Sequence, residues 1–205
     1  MIFPVLGSLR RWAVPALLAG ALAACATPDQ IATHSDTAFQ RTGRFALTVD
    51  HVSGKQDAVQ GGFAWLDAGR GLALDLTNPL GSTLARVTVS GGTATLTHSN
   101  GAQEVAPDAD RLVEKVLGSP IPVSGLRYWL QGQTGPARAH DTQRDGQGRL
   151  TEFNQEGWRV RLSRYDTLGP TLLQLNRNEA ARDIRLRLAV TPVAANPPGT
   201  PLNQQ

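Results

Sequence analysis

The chain holds one cysteine, Cys25, among 205 residues, so no disulfide can form within it. Its apolar run Trp12–Ala24 covers only 13 residues and is broken by Pro15 and Gly20. A spanning helix needs about 20, so this run is too short to cross a bilayer. Charge of one sign is also missing. Two of the 20 basic residues, Arg10 and Arg11, lie in the first 25 positions, which hold no acid, and the remainder balances 18 basic against 17 acidic. No basic stripe interleaved with aromatics occurs, so no nucleic-acid partner is expected. His34, His51, His98 and His140 show no ligand spacing, and no metal is expected. G-x-S-x-G, P-loop and G-x-G-x-x-G motifs are absent. Asp75, Glu104 and Glu152 have no visible partner for acid–base work and read as solvated strand faces. A catalytic pair assembled only by folding stays open. From sequence, no catalytic residue and no cofactor are expected, and the chain does not read as an enzyme.

What is present begins at the N-terminus. Residues 1–24 combine a basic pair, an apolar run of signal-peptide length and small residues ahead of Cys25. Leu22-Ala23-Ala24-Cys25 resembles the lipobox of bacterial lipoproteins. That resemblance implies a signal removed before Cys25, a diacylated thiol and an acylated amine. Ala26 follows where an Asp would imply retention at the inner membrane, so the outer membrane is the expected address. A stray small hydrophobe is the alternative for a lone Cys. Residues 25–38 read as the lipidated N-terminus and its tether, and the Pro-rich segment 192–205 as a disordered tail.

Between these ends the periodicity is two. Phe45, Leu47 and Val49 share one face, as do Leu72, Leu74 and Leu76. Trp158, Val160 and Leu162 alternate with Arg159, Arg161 and Ser163, and Ile184, Leu186, Leu188 and Val190 oppose Arg185 and Arg187. Strands apolar on one side and charged on the other belong to antiparallel sheets with one solvated face. Turn signals such as Ser53-Gly54, Asn100-Gly101 and Glu156-Gly157 separate roughly ten such strands, which must curl to share one interior. Two segments break the pattern. Residues 107–118 place Leu112, Val113, Val116 and Leu117 on one helical face, with Asp108 to cap the start and Gly118 to end it. Residues 125–132 place Leu126, Trp129 and Leu130 at i, i+3 and i+4. This helical pair suits either a plug in an ordinary core or a cover across the mouth of the curled sheet.

Residues 75–84, DLTNPLGSTL, set the unprotected Leu80 between Pro79 and Gly81 in a tight connection. Either a neighbour shelters Leu80, or the protein presents it to something apolar. Carrying a sixteen-carbon acyl chain through water unprotected costs on the order of 10 kcal/mol or more. A concave sheet lined by Phe45, Leu47, Phe63, Trp65, Leu74, Leu76 and Trp158 could shield one, with Leu126, Trp129 and Leu130 added from the helices.

Residues 76–83 (LTNPLGST), 118–132 (GSPIPVSGLRYWLQG) and 165–167 (YDT), following a lipobox, together resemble the LolA/LolB-like family and within it the LolB outer-membrane lipoprotein receptors. The resemblance runs from about Gly43 to Val190. It implies a mainly β fold over 39–191: an unclosed antiparallel β-barrel, or half-barrel, with short α-helices as a lid over a hydrophobic cavity. It implies a monomer that takes acylated lipoprotein cargo from a LolA-like periplasmic carrier and inserts it into outer-membrane phospholipid, without covalent chemistry. Within it, Pro79, Leu80 and Gly81 fall on a protruding membrane-insertion loop. The competing reading is a lipid-anchored β scaffold in an envelope assembly.

Overall fold

The computed structural model describes residues 38–193. The expected signal segment 1–24, Cys25, the tether up to residue 37 and the tail beyond residue 193 lie outside the described residues. Eleven strands and two helices follow in the order β1 (Phe39–His51), β2 (Gln56–Asp67), β3 (Gly71–Thr77), β4 (Thr83–Ser90), β5 (Thr93–His98), β6 (Gln103–Ala106), α1 (Ala109–Leu117), α2 (Val123–Trp129), β7 (His140–Arg144), β8 (Leu150–Gln155), β9 (Trp158–Tyr165), β10 (Pro170–Glu179) and β11 (Arg182–Val190).

All strands join one antiparallel sheet in the order β6-β5-β4-β3-β2-β1-β11-β10-β9-β8-β7. Neighbours in the sheet are neighbours in the chain except at the centre, where β1 pairs with β11 over the register Gly43↔Val190 to His51↔Arg182. The sheet does not close, because β6 and β7 stand at opposite edges. The chain between those two edges is the segment that carries both helices. The mainly β, unclosed fold with a helical pair is the one expected. The strand count exceeds the sequence reading of roughly ten.

Alternation explains which side is buried. Phe45, Leu47 and Val49 of β1, Trp158, Val160 and Leu162 of β9, and Ile184, Leu186 and Leu188 of β11 all enter one continuous apolar cluster. Arg159, Arg161, Arg185 and Arg187 stand exposed on the opposite face. Burying each such side chain contributes about 1.5–3 kcal/mol. Curvature needs small residues on the inner face. A Cβ on Gly61 would collide with the Thr77 carbonyl, and one on Gly43 with the Ala189 carbonyl, beside the rings of Phe45 and Phe63.

The helix boundaries follow from their caps. Asp108 accepts from the Arg111 N–H at 2.9 Å, and Gly118, at φ 72°, donates to the Glu114 carbonyl. The second helix has no side-chain cap of its own at Pro122. Asp110 of α1 supplies one instead, accepting from the Ser124 N–H at 2.9 Å and its hydroxyl at 2.7 Å. Burial pushes the Asp110 carboxyl above its ordinary pKa, against the opposing effect of those Ser124 bonds.

The Tyr165-Asp166-Thr167 motif forms a clamp at the connection from β9 to β10. Arg41, its side chain fully buried, donates to both Asp166 oxygens at 3.0 and 2.8 Å and to the Pro170 carbonyl at 2.9 Å. Asp166 also accepts from the N–H groups of Leu168, Gly169 and Val193, and the Tyr165 hydroxyl donates to Leu150. Burial alone would raise the Asp166 pKa. The Arg41 and backbone hydrogen bonds outweigh it and hold the carboxyl below its ordinary value.

Candidate functional site

Under α1 and α2, against the inner face of β1–β3 and β11, lies a hollow with about 30 Å³ of room. That holds a water molecule or a methyl group, far less than an acyl chain. Every lining residue is apolar or aromatic. Phe45, Phe63, Trp65, Leu74, Leu76, Leu126 and Leu130, all singled out from sequence, meet here. The other three go elsewhere. Leu47 faces a second, more polar hollow beside His51, Asp57 and Arg182. Trp129 packs edge-on against Phe153, 6.0 Å between centroids, and donates to Gln155 Oε1 at 2.7 Å. Trp158 lies beneath the Arg177 guanidinium, 5.8 Å away.

Five further wall residues were not assigned to the cavity from sequence: Val113, Leu117, Ile121, Leu186 and Leu188. Four of them sit on apolar faces that the periodicity marks. Ile121, between Pro120 and Pro122, belongs to no periodic run. Two buried donors on the inner face have no acceptor among the described residues, Arg41 Nε and Trp65 Nε1. Arg41 and Trp65 are direct partners across β1 and β2. A buried donor without an acceptor costs about 1–3 kcal/mol.

Polar ties hold the cover down. Arg127 of α2 donates from Nε to Asp67 Oδ2 at 2.6 Å and from Nη2 to Asp67 Oδ1 at 2.7 Å, and also reaches the Gly69 carbonyl. Those bonds to Asp67 raise the Arg127 pKa further and keep it charged. Lys115 of α1 donates to Glu104 Oε2 on β6, and that contact, joined by His98, holds the Glu104 carboxyl below its ordinary value.

The connection from β3 to β4 is built around Asn78. Its side-chain oxygen accepts from the N–H groups of Leu80 at 2.9 Å and Ser82 at 3.0 Å, while its carbonyl accepts from Gly81. Gly81 stands at φ 89°, a conformation that a residue with a Cβ resists. Pro79 fixes the other shoulder. The result is a tip that holds its own shape and leaves Leu80 92% exposed, the most exposed large hydrophobic side chain among the described residues. Only four positions earlier, Leu76 is buried in the wall of the hollow.

Among the described residues, no helix is long and apolar enough to cross a membrane, and no His, Cys, Asp and Glu cluster could hold a metal. The fold and the hollow define a half-barrel, an open sheet and a helical cover around an apolar space. Residues 37–192 match the family described as outer membrane lipoprotein LolB. The outer-membrane lipoprotein LolB of Bordetella petrii is 53% identical over 185 residues, covering 89% of this chain and 92% of that protein. Its counterpart in Bordetella pertussis is 52% identical over 177 residues, covering 85% and 89%. A LolA-superfamily protein of Nitrosomonas europaea, known from a crystal structure, aligns over 77% of this chain and 87% of its own, with a TM-score of 0.40 and 9% identity. The chain belongs to the LolB family, the lipid-anchored lipoproteins of the outer membrane that serve lipoprotein transport.

Proposed function

We propose that this protein receives acylated lipoproteins from a LolA-like periplasmic carrier, holds their acyl chains between the sheet and α1–α2, and inserts them into the outer membrane at the Leu80 loop. The observation that carries the reading is a pairing: an apolar hollow under a tied-down cover, and an exposed leucine on a preorganised tip at the end of a strand lining that hollow. The unpartnered Nε1 donor of Trp65, a wall residue of the hollow, adds support, because the ester and amide carbonyls of an acylated cysteine are acceptors of that kind. Cys25 is the residue we assign to the protein's own anchor. Since a hollow of about 30 Å³ is too small for a chain, α1 and α2 move outward on loading. No nucleotide motif occurs, so cargo passes down a gradient of affinity that ends in the bilayer.

The test is transfer of a radiolabelled lipoprotein from purified carrier to the soluble mature chain, residues 25–205 carrying Cys25→Ala, scored by pull-down. Transfer is expected. Failure with a protein shown to be folded removes the receptor reading. The small size of the hollow favours one alternative, a lipid-anchored scaffold with an ordinary core. That alternative requires that the unacylated protein take up no fluorescent fatty acid.

A further inference from the structure

Beside the Leu80 loop, on the outer face of the sheet, lies a groove of about 430 Å³ that is separate from the apolar hollow. Arg44 of β1 and Arg187 of β11 line it together with Gln60, Thr77, Asn78 and Pro79, and no lining residue is acidic. The register pairs Arg44 with Ala189 and Ala46 with Arg187, so the two arginines are diagonal neighbours across the central strand pair. Diagonal neighbours stand about 7–8 Å apart at their Cα atoms, within the span of one phosphate gripped from two sides. Arg44 also pairs with Gly62, and Gly62 with Thr77, which carries the row directly to the root of the loop. At Gly62 a Cβ would stand 2.5 Å from the Thr77 hydroxyl, so the glycine keeps the floor between Arg44 and the loop open.

Charge pairing sets these two arginines apart from others on the same face. Arg159 and Arg161 share Glu152 at 3.8 and 3.0 Å, and Arg185 is paired with Asp50. Arg44 and Arg187 are exposed, and neither has a salt bridge or side-chain hydrogen bond among the described residues. Two uncompensated cations thus share a groove with the loop that presents Leu80. Apolar side chains enter the acyl boundary, and guanidinium groups settle at the level of the phosphates. We propose that Arg44 and Arg187 form a binding site for the phosphodiester headgroup of an anionic phospholipid, which orients the protein as Leu80 enters the bilayer. The proposal rests on the membrane role assigned to that loop.

The experiment uses the mature chain, residues 25–205 carrying Cys25→Ala, without carrier or cargo. Flotation is measured with phosphatidylcholine vesicles with and without phosphatidylglycerol. The parent protein prefers the anionic vesicles, and added salt weakens the preference. R44Q/R187Q loses about tenfold or more in apparent affinity for the anionic vesicles at unchanged thermal stability, because each cation near such a surface contributes about fivefold. R159Q/R161Q retains the preference. If R44Q/R187Q binds as the parent does, or R159Q/R161Q loses as much, the site is wrong. Inorganic phosphate bound by the parent and lost in R44Q/R187Q, with vesicle affinity unchanged by that variant, would instead assign the groove to a free anion. Normal vesicle binding by R44Q/R187Q with lost uptake from the carrier would assign it to an acidic protein surface. Both outcomes overturn the headgroup site. L80E separates this proposal from the reading beneath it. If L80E abolishes vesicle binding and R44Q/R187Q does not, only the arginine site falls; if L80E binds normally, the membrane role of the loop falls first.

Discussion

The two wings of the sheet present the same kind of inner face to different surroundings. On β1–β3, Phe45, Phe63, Trp65, Leu74 and Leu76 face a hollow under the helices. On β8–β10, Phe153, Val160, Leu173 and Leu175 are completely buried and line none of that space. Trp129, the last residue of α2, is spent on the filled wing, where its ring meets Phe153 and its N–H meets Gln155. Strand alternation states which face is apolar. Whether that face is filled depends on what the helices bring to it. One wing stabilises the fold, and the other keeps an unfilled wall whose use we assign to cargo.

The largest expected effect tests the filled wing. Phe153→Ala removes a ring packed on all sides and should cost about 3–5 kcal/mol in chemical denaturation. Leu74→Ala on the other wing should cost about 2–3 kcal/mol, the low end for a core leucine, because the wall already borders empty space. It should also change fatty-acid uptake, which Phe153→Ala variants that remain folded should not. Equal costs at the two sites would erase the distinction between the wings.

Next comes Arg127→Ala, which unties α2 and leaves Asp67 without its partner. It should lose about 1–2 kcal/mol and speed fatty-acid uptake, read by stopped-flow fluorescence. Unchanged uptake would mean that the Asp67 tie does not hold the cover.

Asp166 gives a pH-dependent version. Its folded pKa lies below the unfolded value of about 3.9, so its contribution is full above that value and is lost as pH falls through the folded one. Asp166→Asn should flatten that acid limb of a denaturation series, and an unaltered limb would clear the Arg41 clamp of a part in it. Leu80→Glu is the smallest in stability, within about 0.5 kcal/mol, because nothing packs on the side chain. It should nevertheless block delivery to liposomes while leaving uptake intact, and normal delivery would remove the insertion role.

Much of the fold was legible because its signals are local. Alternation in β9 and β11 marked the buried face residue by residue. Asp108 and Gly118 bounded α1 from sequence alone, and in the structure the Asp108 side chain accepts from the Arg111 N–H while the Gly118 N–H donates to the Glu114 carbonyl. By contrast, His140–Arg144 is entirely exposed, so no apolar pattern betrays β7; only pairing with β8 makes it a strand. The site was legible in composition and not in partition. Sequence placed Leu47, Trp129 and Trp158 on the correct inner side, but which side chains border empty space depends on contacts between distant strands. Arg41 and Asp166 are 125 positions apart, and no spacing rule links them. Pro79 and Gly81 marked a tight turn but left open whether Leu80 is sheltered, and the resemblance implied its exposure; the self-bonded turn of the structure leaves its side chain unpacked.

The central pairing of β1 with β11 also sets an order of events in the life of the chain. Each wing is a meander whose contacts close over short stretches of sequence, whereas Gly43 must wait for Val190. The greatest loop-closure cost therefore falls on the seam at the middle of the sheet, where such contacts form slowly. A chain emerging from its N-terminus builds the first wing with one flank of β1 unpaired, an open template thirteen residues long, until β11 arrives.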